Sequence, residues 1–440
     1  MSDAKLSKAM SIDDAPLEVA AKKVLFTNAK LVCATGGAGW GMIEQGAMLV
    51  EDGKFVGVGE QSLLEPTAYA SQGCAVVNLE GAVVTPGLID AHTHLVYGGN
   101  RADEFELRLQ GASYEELARR GAGIMSTVRA TRLASDESLF ESALDRAQQL
   151  MRSGVTTLEI KSGYGLSAQD EERCLRVARR VGEALPITVK TTYLAAHALP
   201  PEFAGRQEDY VNALCSWLPA LHAQGLVDAV DAFCENIAFT PAQVRKLFET
   251  ARSLGLPVKL HAEQLSDQGG TQLAAEFNAL SCDHLEHLSP AGIKAMAEKG
   301  VVALLLPGAF YFLRETKQPP VQALREAGVT LALATDHNPG SSPTLSPTLI
   351  MNLACTLFRL TPEEALRGMT VNAAKALGLK DRGQLKAGQK ADFVVWPRSI
   401  QHPNQLMYSF GQAPHGRVIV GGLECDSSNN ASKNAEALRS

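Results

Sequence analysis

The sequence predicts an α/β protein: a (β/α)8 TIM barrel with a small β-sandwich formed by both chain ends. Two observations lead there. Eight apolar, β-branched segments alternate with capped helical segments through the middle of the chain, and the pieces outside that stretch read as short strands between glycine-rich turns. Eight β-then-α units with right-handed crossovers close into a barrel. An open doubly wound sheet is the alternative architecture.

The opening strands are KKVLFTNAKLVCA, GAMLVEDGKFVGVG and CAVVNLEGAVVTPG, and Asp52-Gly53 between apolar runs signals a hairpin. Similar pieces return in ADFVVWP and GRVIVGG. Residues 24–83 and 381–425 are therefore expected to form the sandwich and 84–380 the barrel. Residues 1–23 form an N-terminal extension, and the polar 426–440 a disordered tail.

The barrel strands are, in order, VVTPGLIDAHTHL, GVTTLEIKSGYG, PITVKTTYLAAHAL, AVDAFCENIAF, PVKLHAEQL, ALSCDHLEHL, VVALLLPG and VTLALATDHNPG. They lack strict alternation, as parallel strands buried on both faces do. Between them, Ser113-Tyr-Glu-Glu116, Thr240-Pro241-Ala-Gln243, Ser289-Pro290 and Thr361-Pro362-Glu363-Glu364 are helix starts, with Gly255 and Gly300 as stops.

The 440 residues are 45% hydrophobic, enough for a large core, and the net charge of -7 argues against a nucleic-acid or anionic-membrane partner. No apolar run approaches the roughly 20 residues of a membrane helix, and the N-terminus has no signal-like apolar region, so the expected location is cytoplasmic. The eight cysteines are scattered without a CxxC pair, which points to reduced thiols.

Of ten histidines, His92, His94, His197, His261, His284, His287 and His337 lie at or just beyond the C-terminal ends of the strands. That edge of a barrel is where chemistry is built. His92 and His94 are two residues apart on a strand and so point to one side. A His-x-His pair alone is a weak signal, but His261 ending strand five adds a third nitrogen and Asp336 ending strand eight a carboxylate. Three imidazoles and a carboxylate suit Zn²⁺ or Fe²⁺ with a position left for water. Arg101, in a Gly-Gly-Asn-Arg loop seven residues after His94, is placed to take a carboxylate bidentately. Tyr164 stands between glycines that let the backbone approach a ligand, and Asn338-Pro-Gly-Ser-Ser342 offers amide, backbone and hydroxyl donors. His287 is assigned behind the site or in the core, His337 points away from the metal, and Glu235 either touches the site or pairs with Lys161.

Val84-Thr-Pro-Gly-Leu-Ile-Asp90-Ala-His92-Thr-His94 and Ala334-Thr-Asp336 resemble the first- and last-strand motifs of the amidohydrolase superfamily. His94-Leu-Val-Tyr-Gly-Gly-Asn-Arg101, Lys161-Ser-Gly-Tyr164-Gly, Leu194-Ala-Ala-His197-Ala, Asp283-His284-Leu-Glu-His287 and Asp336-His-Asn338-Pro-Gly340-Ser341 resemble the imidazolonepropionase family within it. The resemblance runs from about Val24 to Gly422. It implies hydrolysis of a small-molecule substrate, 4-imidazolone-5-propanoate, to N-formimidoyl-L-glutamate, the third step of histidine degradation. It also implies a homodimer, with one Zn²⁺ or Fe³⁺ per subunit on His92, His94, His261 and Asp336. Substrate contacts fall on Arg101, Tyr164, His197, Asn338, Gly340 and Ser341, with Gln264 placed beside them. Some family members carry Glu where this chain has Gln264; Gln takes no proton, so a general-base role does not carry over to it.

In the expected mechanism the ion lowers the pKa of water towards about 7. Asp336 or His284 takes the proton and returns it to the leaving ring nitrogen, and His197 donates to the carbonyl. Three rival readings remain. A two-metal hydantoinase-like enzyme needs a carbamylated Lys on strand four, and AVDAFCENIAF has none. An aminohydrolase acting on an exocyclic amine wants an acid near the fifth-strand His, which Glu263 offers and Gln264 does not. A non-catalytic scaffold would be expected to lose ligands, yet every ligand position is filled.

Overall fold

The computed structural model describes residues 23–36, 39–111, 123–412 and 414–425. The helix start at Ser113–Glu116, the extension up to residue 22 and the tail from 426 lie outside the described residues. Contacts divide the chain into two units: Met1–Leu88, Met151–Thr156 and Lys380–Ser440 form one, Ile89–Leu150 and Thr157–Leu379 the other.

The first unit holds β1 (Lys23–Val32), β2 (Met42–Glu51), β3 (Lys54–Glu60) and β4 (Ala75–Pro86). The second holds β5 (Leu88–Asp90), whose first residue closes a stretch of the first unit, then β6 (Val155–Lys161), whose first two residues also count with the first unit, β7 (Thr188–Ala196), β8 (Ala229–Cys234), β9 (Leu260–Ala262), β10 (Ser281–His284), β11 (Val302–Leu305) and β12 (Leu331–Leu333). The chain then returns to the first unit for β13 (Phe393–Val395), β14 (Arg417–Val420) and β15 (Leu423–Glu424).

In the first unit the strands join in the order β15-β14-β13-β4-β1-β2-β3, so both chain ends build one sheet. The β2–β3 hairpin turns at Asp52 and Gly53, with φ of 48° and 75°, the left-handed pair that a two-residue turn of primed type demands. Beyond it the Phe55 N–H donates to Gln389 O at 2.9 Å and Lys54 bridges Lys390, bringing β3 back towards β13. The sandwich is thus a single sheet curled on itself around Phe26, Phe55, Leu79, Phe393 and Ile419, with Phe26 edge-on to Phe393 at 5.1 Å.

In the second unit the eight strands run in sequence order, β5 to β12. Just past the strand ends, Asp336 N–H donates to His92 O at 3.0 Å and His94 N–H to His337 O at 2.8 Å, closing the barrel where His92, His94 and Asp336 stand. Outward-facing Ile89, Ala91, Val302, Leu304 and Ala332 pack against Ala373 and Ala374 of the helix Val371–Ala376. The helix Pro241–Ser253 starts on the Thr240/Gln243 capping box and Pro362–Gly368 on Thr361/Glu364, as the sequence predicts, and Pro290–Lys299 ends at left-handed Gly300.

The inward face departs from expectation. Apolar filling is what buried parallel strands suggest, but β6 points Glu159 and Lys161 inward, β8 Asp231 and β10 Asp283, with Lys259 just before β9, each no more than 1% exposed. Charges survive there only because they pair and hydrogen-bond with one another. Among the described residues no helix is long and apolar enough to cross a membrane, and the eight cysteines are free thiols.

Candidate active site

Two residues beyond β5, alternation puts His92 and His94 on the inner side, with their Nε2 atoms 3.2 Å apart. Asp336 Oδ1 lies 3.3 Å from His92 Nε2 and 3.4 Å from His94 Nε2. His92, His261 and His284 likewise bring one donor atom each within 4.8 Å of one another. Four strand ends, β5, β9, β10 and β12, thus converge on one buried cluster.

The side chains beneath orient these imidazoles. His92 Nδ1 donates to Asp283 Oδ2 at 2.6 Å, and His261 Nδ1 stands 3.0 Å from Asp231 Oδ2. Asp283 in turn accepts from the Ser281 hydroxyl at 2.5 Å. Lys161 Nζ lies 2.8 Å from Asp231 and 2.9 Å from Glu159; Lys259 Nζ reaches Glu159 at 2.9 Å and Ala91 O at 2.7 Å. Burial alone would discharge Lys161, but Asp231, Glu159 and Asp283 hold its pKa above the ordinary value. Burial likewise opposes the charge on Asp231, yet His261 and Lys161 keep it well below the usual carboxylate range.

The donor set fits a metal ion. With its Nδ1 proton on Asp283, His92 turns an Nε2 lone pair towards the Asp336 carboxylate, two acceptors 3.3 Å apart. A cation between them satisfies both. Nitrogen and oxygen donors around a tetrahedral ion stand about 3.4 Å apart, close to the spacing here. Burial, ahead of the neighbouring positive groups, lowers His92 and His94, so both imidazoles are neutral as ligands must be.

A cavity of about 310 Å³ opens over this cluster. Every sequence-predicted site residue lines it except His92, which is fully buried behind His94. Tyr164 and His197 form one wall, their rings 5.4 Å apart, and the His197 ring stacks on His94 at 5.3 Å. His197 Nδ1 donates to Gly163 O at 3.1 Å, so its neutral form carries the lone pair on Nε2. That makes His197 an acceptor, where the sequence reading expected a donor to the carbonyl. Gly163 is required for the approach: at φ 113° an added Cβ would fall 2.9 Å from that nitrogen.

His284 lines the cavity with Nδ1 buried and unpartnered, and burial pushes its pKa down to about 3. Asn338 organises its own turn: Oδ1 accepts from Gly340 N–H and Ser341 N–H, both at 2.8 Å, and Nδ2 donates to Asp336 O at 2.8 Å. Arg101 lies against Gly340, where any Cβ would collide with its Nη1. Gln264 sits on a loop that Glu235 braces by accepting from Leu265 N–H and the Ser266 hydroxyl, which answers the Glu235 alternative: Lys161 pairs elsewhere. Glu263, with a pKa raised by burial to about 7, is bound to Thr271 and does not line the cavity. The acid an aminohydrolase would want is therefore turned away.

Two histidines stand apart from the cluster. His337 donates from Nδ1 to Thr344 O at 2.9 Å and takes the Tyr97 hydroxyl on Nε2, while His287 meets Lys317 at 3.2 Å outside the cavity. Sequence reasoning missed the charged layer below the cluster, although Glu159/Lys161 and Lys259/His261 are i, i+2 pairs on otherwise apolar strands. It also missed Glu104 and Arg108 on the cavity wall, which read as an ordinary exposed helix.

The amidohydrolase family model matches residues 83–423. An imidazolonepropionase from Pseudomonas aeruginosa (strain UCBPP-PA14) is 58% identical over 380 residues, covering 86% of this chain and 93% of that protein. One from Acinetobacter baumannii (strain AB0057) is 54% identical over 404 residues, covering 91% and 99%. Among solved structures, a zinc-bound adenosine deaminase from Xanthomonas campestris superposes with a TM-score of 0.68 at 19% identity, covering 94% of this chain and 97% of that one. A guanine deaminase from C. acetobutylicum does so with 0.68 at 15% identity, covering 92% and 100%. The two deaminases share the fold. With the family match and these identities on top of the cluster geometry, the chain belongs to the amidohydrolase family, in its imidazolonepropionase branch.

Proposed function

We propose that this chain opens the ring amide of 4-imidazolone-5-propanoate to give N-formimidoyl-L-glutamate, the third step of histidine degradation. The observation that carries the reading is one cavity holding both the buried His/Asp cluster and Arg101. Its sequence relatives bear the imidazolonepropionase name. We assign one Zn²⁺ or Fe³⁺ per subunit to His92, His94, His261 and Asp336, and the chemistry to residues 84–380 of a cytoplasmic homodimer that binds no nucleic acid.

When bound, the ion supplies Lewis acidity to the carbonyl and makes water more acidic. Arg101 holds the propanoate carboxylate and so fixes the ring over the cluster. Tyr164 closes the wall over the ring, and its hydroxyl, held protonated by burial and by Asp336, is a hydrogen-bond donor. Neutral His197 accepts a ring N–H at Nε2. His284 or Asp336 takes the proton of the attacking water and returns it to the departing ring nitrogen. Gln264, Gly340 and Ser341 contribute polar contacts from the opposite loops.

The reaction is tested by incubating purified protein with the substrate, with and without a chelator, and following N-formimidoyl-glutamate by mass spectrometry. Chelator-sensitive product is expected. Metal-loaded protein that yields none would overturn the assignment.

A further inference from the structure

The helix Ala102–Leu109 carries Glu104 and Arg108 one turn apart, on the side that Arg101 also faces. The Glu104 carboxylate, 8% exposed, accepts from Arg101 Nε at 2.8 Å, Arg101 Nη2 at 2.5 Å and Gly123 N–H at 2.8 Å, and Arg108 Nη2 stands 3.6 Å away. One edge of the Arg101 fork is thereby occupied before any ligand arrives. Burial opposes ionisation of Glu104, but the Arg101 and Gly123 hydrogen bonds outweigh it and hold the carboxyl below its usual range. It is an anion at neutral pH.

Two guanidiniums and one carboxylate leave a single positive charge on this wall of the cavity. That balance suits an arm carrying one carboxylate and disfavours an uncharged arm. Arg108 Nη2 donates to Gly340 O at 3.1 Å, while its Nε is buried without a hydrogen-bond partner. The Arg108 side chain nonetheless lines the cavity beside Arg101, so the two guanidiniums share one wall and can meet the same acceptor.

We propose that Arg108, whose side chain lines the cavity beside Arg101, is a second anchor for the substrate's carboxylate. Glu104 is the positioning residue that holds both guanidiniums and sets the charge of this wall. The inference rests on the propanoate reading above.

The test compares kcat and KM for wild type, R108M, R108K and E104Q on 4-imidazolone-5-propanoate and on its propanamide analogue, alongside metal content and thermal melting. R108M is expected to raise KM for the propanoate by at least about ten-fold, the size of one hydrogen bond to a charged group. KM for the amide should move much less. R108K restores the charge without the guanidinium fork and should recover part of the loss; it is read in place of R108M should that variant melt early. E104Q removes the two-point hold on Arg101 and one negative charge from the wall, and should shift the ratio of the two KM values away from wild type. Variants that keep the wild-type ratio of the two KM values overturn the inference while leaving the reaction standing. A wild type that turns over neither compound overturns the propanoate reading, and this one with it.

Discussion

Asp336 sits at φ 52°, His284 at 83° and Leu285 at 79°, a region that residues with a Cβ enter at a cost of about 1–3 kcal/mol each. Hydrogen bonds hold this local strain in place: Asp336 N–H is tied to His92 O and Leu285 N–H to Ala262 O at 3.2 Å. The bent backbone is what turns the two side chains into the barrel mouth instead of along the strand. His284 reaches the cluster without a partner on Nδ1, and its substitution distinguishes acid–base work from ligation. Replacing it with Ala is expected to lower kcat by about 10²- to 10⁴-fold, the range of general acid–base catalysis, with metal content nearly unchanged. Metal content falling in step with turnover would make His284 a ligand instead. Asp283 gives the converse case. It touches no cavity, yet it fixes the His92 tautomer, and D283N should weaken metal affinity by about 10- to 100-fold, read by competition with a chromogenic chelator. Unchanged affinity would mean that the 2.6 Å contact is structural only.

At the scale of elements, β7 and β8 are pinned at their N-terminal ends by Asp228. Its carboxylate accepts from Thr191 N–H and lies near Arg179 Nη1, both at 2.9 Å, with Lys190 Nζ at 3.2 Å. Burial raises its pKa, but the Thr191 N–H and Arg179 more than offset this and hold it below the usual range. A depressed carboxyl stabilises the fold above the unfolded-state value of about 3.9, and that stability is lost as pH falls through the folded-state value. The D228N variant should therefore be less stable than wild type near pH 7 in urea unfolding, with the gap shrinking below about pH 4. A gap independent of pH would rule this out. The strands themselves were legible because β-branched runs between capping motifs leave one reading, and the His/Asp cluster because histidines gathered at the strand ends. The inward Glu159, Lys161 and Lys259 were harder to see. Each sits in an apolar run, and only the i, i+2 spacing of Glu159 with Lys161 and of Lys259 with His261, which puts each pair on one face, gives the buried layer away. The curl of the terminal sheet depends on Phe55 meeting Gln389, a pairing between distant segments that no local pattern encodes. Arg108 and Glu104 stayed hidden for the opposite reason: an i, i+4 pair of opposite charge is what any solvated helix carries.

For the molecule as a whole, the ligand set spans the barrel: His92 follows β5, His261 lies in β9 and Asp336 follows β12. These positions are far apart in the chain, so the unfolded protein holds no preformed site, and binding energy becomes folding energy. Thermal stability should then rise with free Zn²⁺ as linkage requires, by about 2.7 kcal/mol when the ion is at one hundred times its Kd. Chelation should lower the melting temperature, readdition of the metal should restore it, and D336A should melt at one temperature with or without the ion. Counting the metal in the same samples decides between architectures of the site. About one ion per chain is the value that three imidazoles and one carboxylate around a single centre demand. Two would require a bridging ligand such as a carbamylated lysine, and β8 has no lysine; its buried Asp231 is already engaged with Lys161 and His261. Melting that ignores both chelator and Zn²⁺, in protein that retains no ion, would remove the metal from this barrel, and with it the reason for two acceptors to face each other at His92 and Asp336.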